Sequence, residues 1–136
     1  MTAPNKLHLY RALPAEAGPI VPSIPTLMPA SAFIHHVLFY MPATASAADQ
    51  ATLLEGLQQL QRISAIKLSH IGTPAETNRA VIDRTYTYSW LCVFESAAAE
   101  QEYQEHPIHD TFRQEYARYW EKVVIYDAVG PVVPAL

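Results

Sequence analysis

A chain of 136 residues, half of them hydrophobic, can bury the core of one domain but is short for two. The formal net charge is -4 and the nine basic residues are scattered singly, which leaves no cationic stripe for nucleic acid. The longest apolar run, residues 33–41, holds His35 and His36 and is too short to span a bilayer, so no membrane partner is expected. The single cysteine, Cys92, excludes an internal disulfide and suits a reducing compartment; a cytoplasmic location is the expectation.

Residues 1–31 carry Pro4, Pro14, Pro19, Pro22, Pro25 and Pro29, a spacing that forbids both a helix and an interior strand. They read as an extended arm with no apolar core of a signal peptide. Either it is a mobile tail, or Leu7, Leu9, Tyr10 and Leu13 pack along the domain or a partner subunit.

The domain itself is expected over residues 32–130, with a short tail at 131–136. Residues 33–41 form a strand that stops at Pro42 and is apolar on both faces: Phe33, His35, Val37, Phe39 and Met41 on one, Ile34, His36, Leu38 and Tyr40 on the other. Ser46 or Asp49 can cap a helix reaching Arg62, whose Leu53, Leu54, Leu57, Leu60 and Ile63 make one buried stripe. A second strand is predicted over residues 65–72, a turn-rich loop over 73–78, and a third strand over 84–94, in which Tyr86, Tyr88, Trp90, Cys92 and Phe94 alternate with Thr87, Ser89, Leu91 and Val93.

Ser96 then caps a short helix. Pro107 breaks it, because the residue before a proline leaves the α region while proline itself suits a first helical position. A new helix follows with Ile108, Phe112, Tyr116, Tyr119 and Trp120 on one stripe, and residues 122–129 close the chain as a fourth strand. The order β-α-β-β-α-β predicts an α+β, ferredoxin-like domain with both helices on one face of a four-stranded antiparallel sheet. The other face is apolar too, which implies pairing with a second copy as a homodimer.

Chemistry concentrates in Tyr103-Gln104-Glu105-His106-Pro107-Ile108-His109. His109 falls in the first turn of its helix, where the positive end of the dipole disfavours the imidazolium and leaves a neutral ring able to take a proton. It is either a base facing a cavity or a packed, capping residue. Tyr103 is either a hydroxyl donor or a core aromatic. His106 cannot be helical, so a metal pair with His109 is awkward and no metal is expected. Asp127 reads as a structural partner for a backbone amide or an arginine.

The strand 34–39, Gly72, Val93-Phe94-Glu95-Ser96, Tyr103-x-x-His106-Pro107-x-His109, Phe112 and Val124-Ile125-Tyr126-Asp127 together resemble the stress-responsive A/B barrel domain, or Dabb, family over residues 33–129. The resemblance implies a dimeric α/β barrel. One plant branch, olivetolic acid cyclase, is similar around His106-Pro107-x-His109 and Trp120-Glu121-Lys122, and it closes a polyketide by aldol condensation. That likeness implies catalytic roles for His109 and Tyr103 and a pocket-lining role for His35. Where the cyclase has a small residue and a further histidine on the third strand, this chain has Trp90 and Tyr88, implying a narrower or differently shaped cavity.

Aldol closure needs a base beside a carbonyl and a donor at the developing oxyanion, roles that His109 and Tyr103 can fill without a cofactor. The expected pocket takes a small, mostly apolar carbonyl compound, with His35, Val37, Phe39, Tyr88, Trp90, His106 and Phe112 as its walls. The alternatives are a non-catalytic, stress-responsive ligand-binding dimer and, less favoured, a haem-handling or monooxygenase-type barrel, which shares the fold but not the motif.

Overall fold

A computed structural model describes residues 28–132. Most of the proline arm and the last four residues of the tail lie outside them, as do both expectations for Leu7, Leu9, Tyr10 and Leu13. The described chain runs β1 (Ala32–Tyr40), α1 (Ala47–Leu60), β2 (Leu68–Gly72), β3 (Tyr88–Phe94), α2 (Ala97–Glu105), α3 (Pro107–Tyr116), a short 3-10 turn (Ala117–Tyr119) and β4 (Lys122–Gly130). The sheet is antiparallel in the order β2-β3-β1-β4, the ferredoxin-like arrangement.

Two strands are shorter than the sequence pattern predicts. Residues 65–67 are a turn, with Ile66 N donating to Ile63 O, and only Lys67 N reaches the sheet, donating to Val93 O. Residues 84–87 precede β3 because β2 ends at Gly72, opposite Ser89, and earlier residues have no partner on that side. Asp83 instead caps its own turn, accepting from Thr85 N at 2.8 Å.

Strand alternation divides the side chains. His35, Val37, Phe39, Trp90, Cys92 and Phe94 face the helices and are buried. Leu53, Leu57 and Leu60 of α1, with Ile63 just beyond, fill the layer between and are at most 1% exposed. Burial of each such side chain favours folding by about 1.5–3 kcal/mol. On the opposite face the register aligns Leu68, Val93, Ile34 and Ala128 in one row, His70, Leu91, His36 and Tyr126 in the next, and Gly72, Ser89, Leu38 and Val124 in a third. No helix of the described residues covers that face.

The helices start where their caps dictate. Ser46 and Asp49 form a reciprocal capping box on α1, Asp49 N donating to Ser46 Oγ at 3.0 Å and Ser46 N to Asp49 Oδ2 at 3.3 Å. His106 is extended (φ -68°, ψ 140°) and serves two helices, ending α2 and capping α3. Pro107 occupies the first position of α3. The resulting bend folds α3 back across α1, where Gly56 lets the Tyr116 ring approach so closely that a Cβ would meet ring carbons at 2.7 Å. No described helix is long and apolar enough to cross a membrane.

Candidate functional site

Because α3 is displaced towards α1, β4 at the sheet edge is left partly uncovered on its helix side: Val123 and Ile125 are 38% and 50% exposed. Between these residues, β1, β3 and the α2–α3 bend lies a cleft of about 290 Å³. Its walls include His35, Val37, Phe39, Trp90, Tyr103, His109 and Phe112, all singled out from the sequence, together with Leu60, Gln104, Arg113, Trp120, Val123 and Ile125. A hollow of about 360 Å³ between α1 and α3 is lined by Gln59, Arg62, Thr111 and Glu115 and holds none of the histidines.

Two residues expected in the walls lie elsewhere. Tyr88 is buried at the start of β3, but its hydroxyl donates to Gln50 O at 3.0 Å, tying the sheet to the first turn of α1. His106 accepts from Ile108 N through Nδ1 at 3.1 Å, satisfying one of the free amides at the start of α3. Its extended backbone, imposed by Pro107, turns the ring to that task.

At the floor of the cleft the groups are mutually ordered. The Tyr103 and His109 rings meet edge to face at 4.6 Å between centroids, and His35 lies 5.8 Å from Tyr103 in the same manner. Trp90 Nε1 donates to the Tyr103 hydroxyl at 2.9 Å. Accepting that bond leaves the phenol its own proton to give away. Burial, with the nearby Cys92 thiol next, raises the pKa of Tyr103, so the hydroxyl stays protonated. Cys92 is likewise raised by burial and is an inert core thiol.

His109 is only 8% exposed, and its Nδ1 is buried with no hydrogen-bond partner among the described residues. Burial first, then the charge of Arg113, pushes its pKa down to about 4. The ring is therefore neutral at pH 7. A buried, unpaired ring nitrogen costs about 1–3 kcal/mol, and such orphans tend to sit where a protein does chemistry.

His35 has a partner that the sequence did not announce. Its Nδ1 lies 2.6 Å from Asp127 Oδ1 and 3.9 Å from Glu100 Oε1. Asp127 thus accepts from a histidine ring, where a backbone amide or an arginine was expected. Donation of the Nδ1 proton to Asp127 leaves Nε2 as the acceptor, the tautomer a base requires. The signal was present in the alternation of β4: Val123, Ile125 and Asp127 pair with Phe39, Val37 and His35, so all six share one face. Finding it requires the β1–β4 register. Among the described residues no group of three or more His, Cys, Asp or Glu is placed to hold a metal.

The model of the stress-responsive A/B barrel domain matches residues 33–129, nearly all of the described domain. The chain belongs to the Dabb family. Solved structures share the fold: a hydroxynitrile lyase from Passiflora edulis is 23% identical, covering 78% of this chain and 100% of its own, with a TM-score of 0.64. A Dabb family protein from Mesorhizobium loti is 21% identical, covering 75% of this chain and 98% of its own, at 0.62. A protein of unknown function from Thermobifida fusca, described as dimeric and ferredoxin-like, is 16% identical over 76% of this chain and 94% of its own, at 0.61. No functionally curated protein matches. Within the Dabb fold of this chain, then, the cleft lies between the sheet and α3 and is bounded by residues from every strand except β2.

Proposed function

We propose that this Dabb protein binds a small, mostly apolar carbonyl compound in the cleft and carries out cofactor-free acid/base chemistry of the aldol, cyclase or isomerase type. The observation that carries this is the convergence of two imidazoles and a phenol on one apolar cavity, with Tyr103 and His109 in ring contact. His109 removes a proton beside the carbonyl. Tyr103, polarised by the Trp90 N–H, donates to the carbonyl oxygen as negative charge develops there. A ligand seated against the apolar walls displaces water from the floor of the cleft, which strengthens both interactions. A fold neighbour that is a hydroxynitrile lyase supports lyase-type chemistry on such a scaffold.

One observation favours His35 as the base instead: the Asp127 carboxylate at Nδ1 fixes the ring and its tautomer, leaving Nε2 to accept the proton. Exchange of the α-protons of small ketones in D2O, followed by NMR, separates the two. With His109 as base, His109→Gln lowers exchange by about 10²–10⁴-fold and His35→Gln by less. The reverse order moves the base to His35. Exchange no faster than in buffer removes catalysis and leaves a ligand-binding cleft.

The functional unit is a homodimer built on the open sheet face. Ile34, Leu38 and Leu91 lie together there, as the register shows, and fold neighbours of this architecture are described as dimeric.

A further inference from the structure

Among the described residues lining the cleft, Arg113 is the only permanent charge and none is a carboxylate. The side chain is 49% exposed, which puts the guanidinium at the mouth, one helical turn beyond His109 on the same face of α3. Three of its five N–H groups are used. Nη1 donates to Gln104 O at 3.2 Å and to Asp110 Oδ1 at 3.3 Å, and Nη2 donates to Gln104 Oε1 at 2.6 Å. Nε–H and the second Nη2–H have no partner among the described residues.

Gln104 is itself held, its Nε2 donating to Glu100 Oε1 at 2.7 Å. The guanidinium is thus braced by α2 through both the backbone and the side chain of Gln104. A flexible surface arginine would need no such bracing. The nearby carboxylates are otherwise engaged: Asp127 on His35, Glu100 on Gln104, and Asp110 in a solvent-screened pair with Arg113 that contributes little.

We propose that Arg113, braced by Gln104, is a carboxylate anchor at the mouth of the cleft, so that the ligand is a monoanionic oxo acid with its apolar body against Trp90, Phe112 and Trp120. This rests on the cleft being the ligand site proposed above. A fixed guanidinium with free N–H groups matches a carboxylate's two oxygens, and the partly desolvated setting strengthens the bond. The pairing also acts on the reaction. A bound carboxylate offsets the charge that, after burial, most weakens His109 as a base, so the acid substrate makes its own base stronger.

The test compares two probes of nearly one shape, 3-phenylpropanoate and 3-phenylpropanamide, by quenching of Trp90 and Trp120 fluorescence in the full-length protein. The carboxylate is expected to bind about tenfold or more tighter than the amide. Arg113→Gln should bring the carboxylate down to the amide's affinity and leave the amide unchanged. Raised ionic strength should weaken only the carboxylate in the unmutated protein, a check that does not depend on the variant folding. Equal affinities, or a preference that survives Arg113→Gln, overturn the anchor alone. Binding of neither probe overturns the cleft as a ligand site, and the anchor with it.

Discussion

His109 shows how one side chain answers to several neighbours. Burial and Arg113 both disfavour its charged form, so the folded ring holds its proton only below about pH 4, whereas in the unfolded chain it titrates near its ordinary 6.5. Between these values the unfolded state binds more protons, and stability rises with pH across that window. The expected outcome is a domain that loses stability as pH falls from 6.5 to 4, with a shallower slope in His109→Gln. Chemical denaturation at several pH values measures it, and equal slopes would mean the ring is solvated. Tyr103 and His109 were visible in the sequence because proline and histidine leave a sharp local pattern. Asp127 was visible as a residue but not as the partner of His35, and Arg113 was one scattered cation among nine.

Caps and a close helix crossing govern the elements. Losing the reciprocal Ser46–Asp49 box should cost about 1 kcal/mol, read as a lower midpoint in urea for Ser46→Ala with the slope unchanged. At Gly56, alanine improves helix propensity by about 1 kcal/mol, but its methyl would meet the Tyr116 ring at 2.7 Å and force the helices apart, at a cost of about 1–3 kcal/mol. Gly56→Ala is therefore expected to lower the melting temperature, and Gly56→Ala with Tyr116→Ala to recover part of the helix gain. A higher melting temperature in the single variant would show that α3 can shift freely. The bend at His106 was legible in advance, since proline constrains its predecessor by local sterics. The shorter starts of β2 and β3 were not, because strand ends are set by where the partner strand stops.

For the whole molecule the proposed dimer rests on the open sheet face. Leu91 sits near its centre, between His70 and His36. Native mass spectrometry is expected to show the unmutated protein at twice its 15.2 kDa chain mass and Leu91→Glu at the single mass. A monomer in both cases would end the face-to-face arrangement. The His36 ring on this face bonds Ser89 Oγ at 2.8 Å, and burial, with His35 next, lowers its pKa, so the folded domain disfavours its protonation. From the sequence alone came the number and order of the elements, the buried stripe of α1, the break at Pro107 and the family, since alternation, capping and proline sterics act within a few residues. Only the tertiary structure placed Asp127 against His35, 92 residues apart, and Gln104 against Arg113 over the cleft. Those contacts depend on the register of β4 on β1 and on the angle at which α3 returns, and both are settled by packing of the whole core.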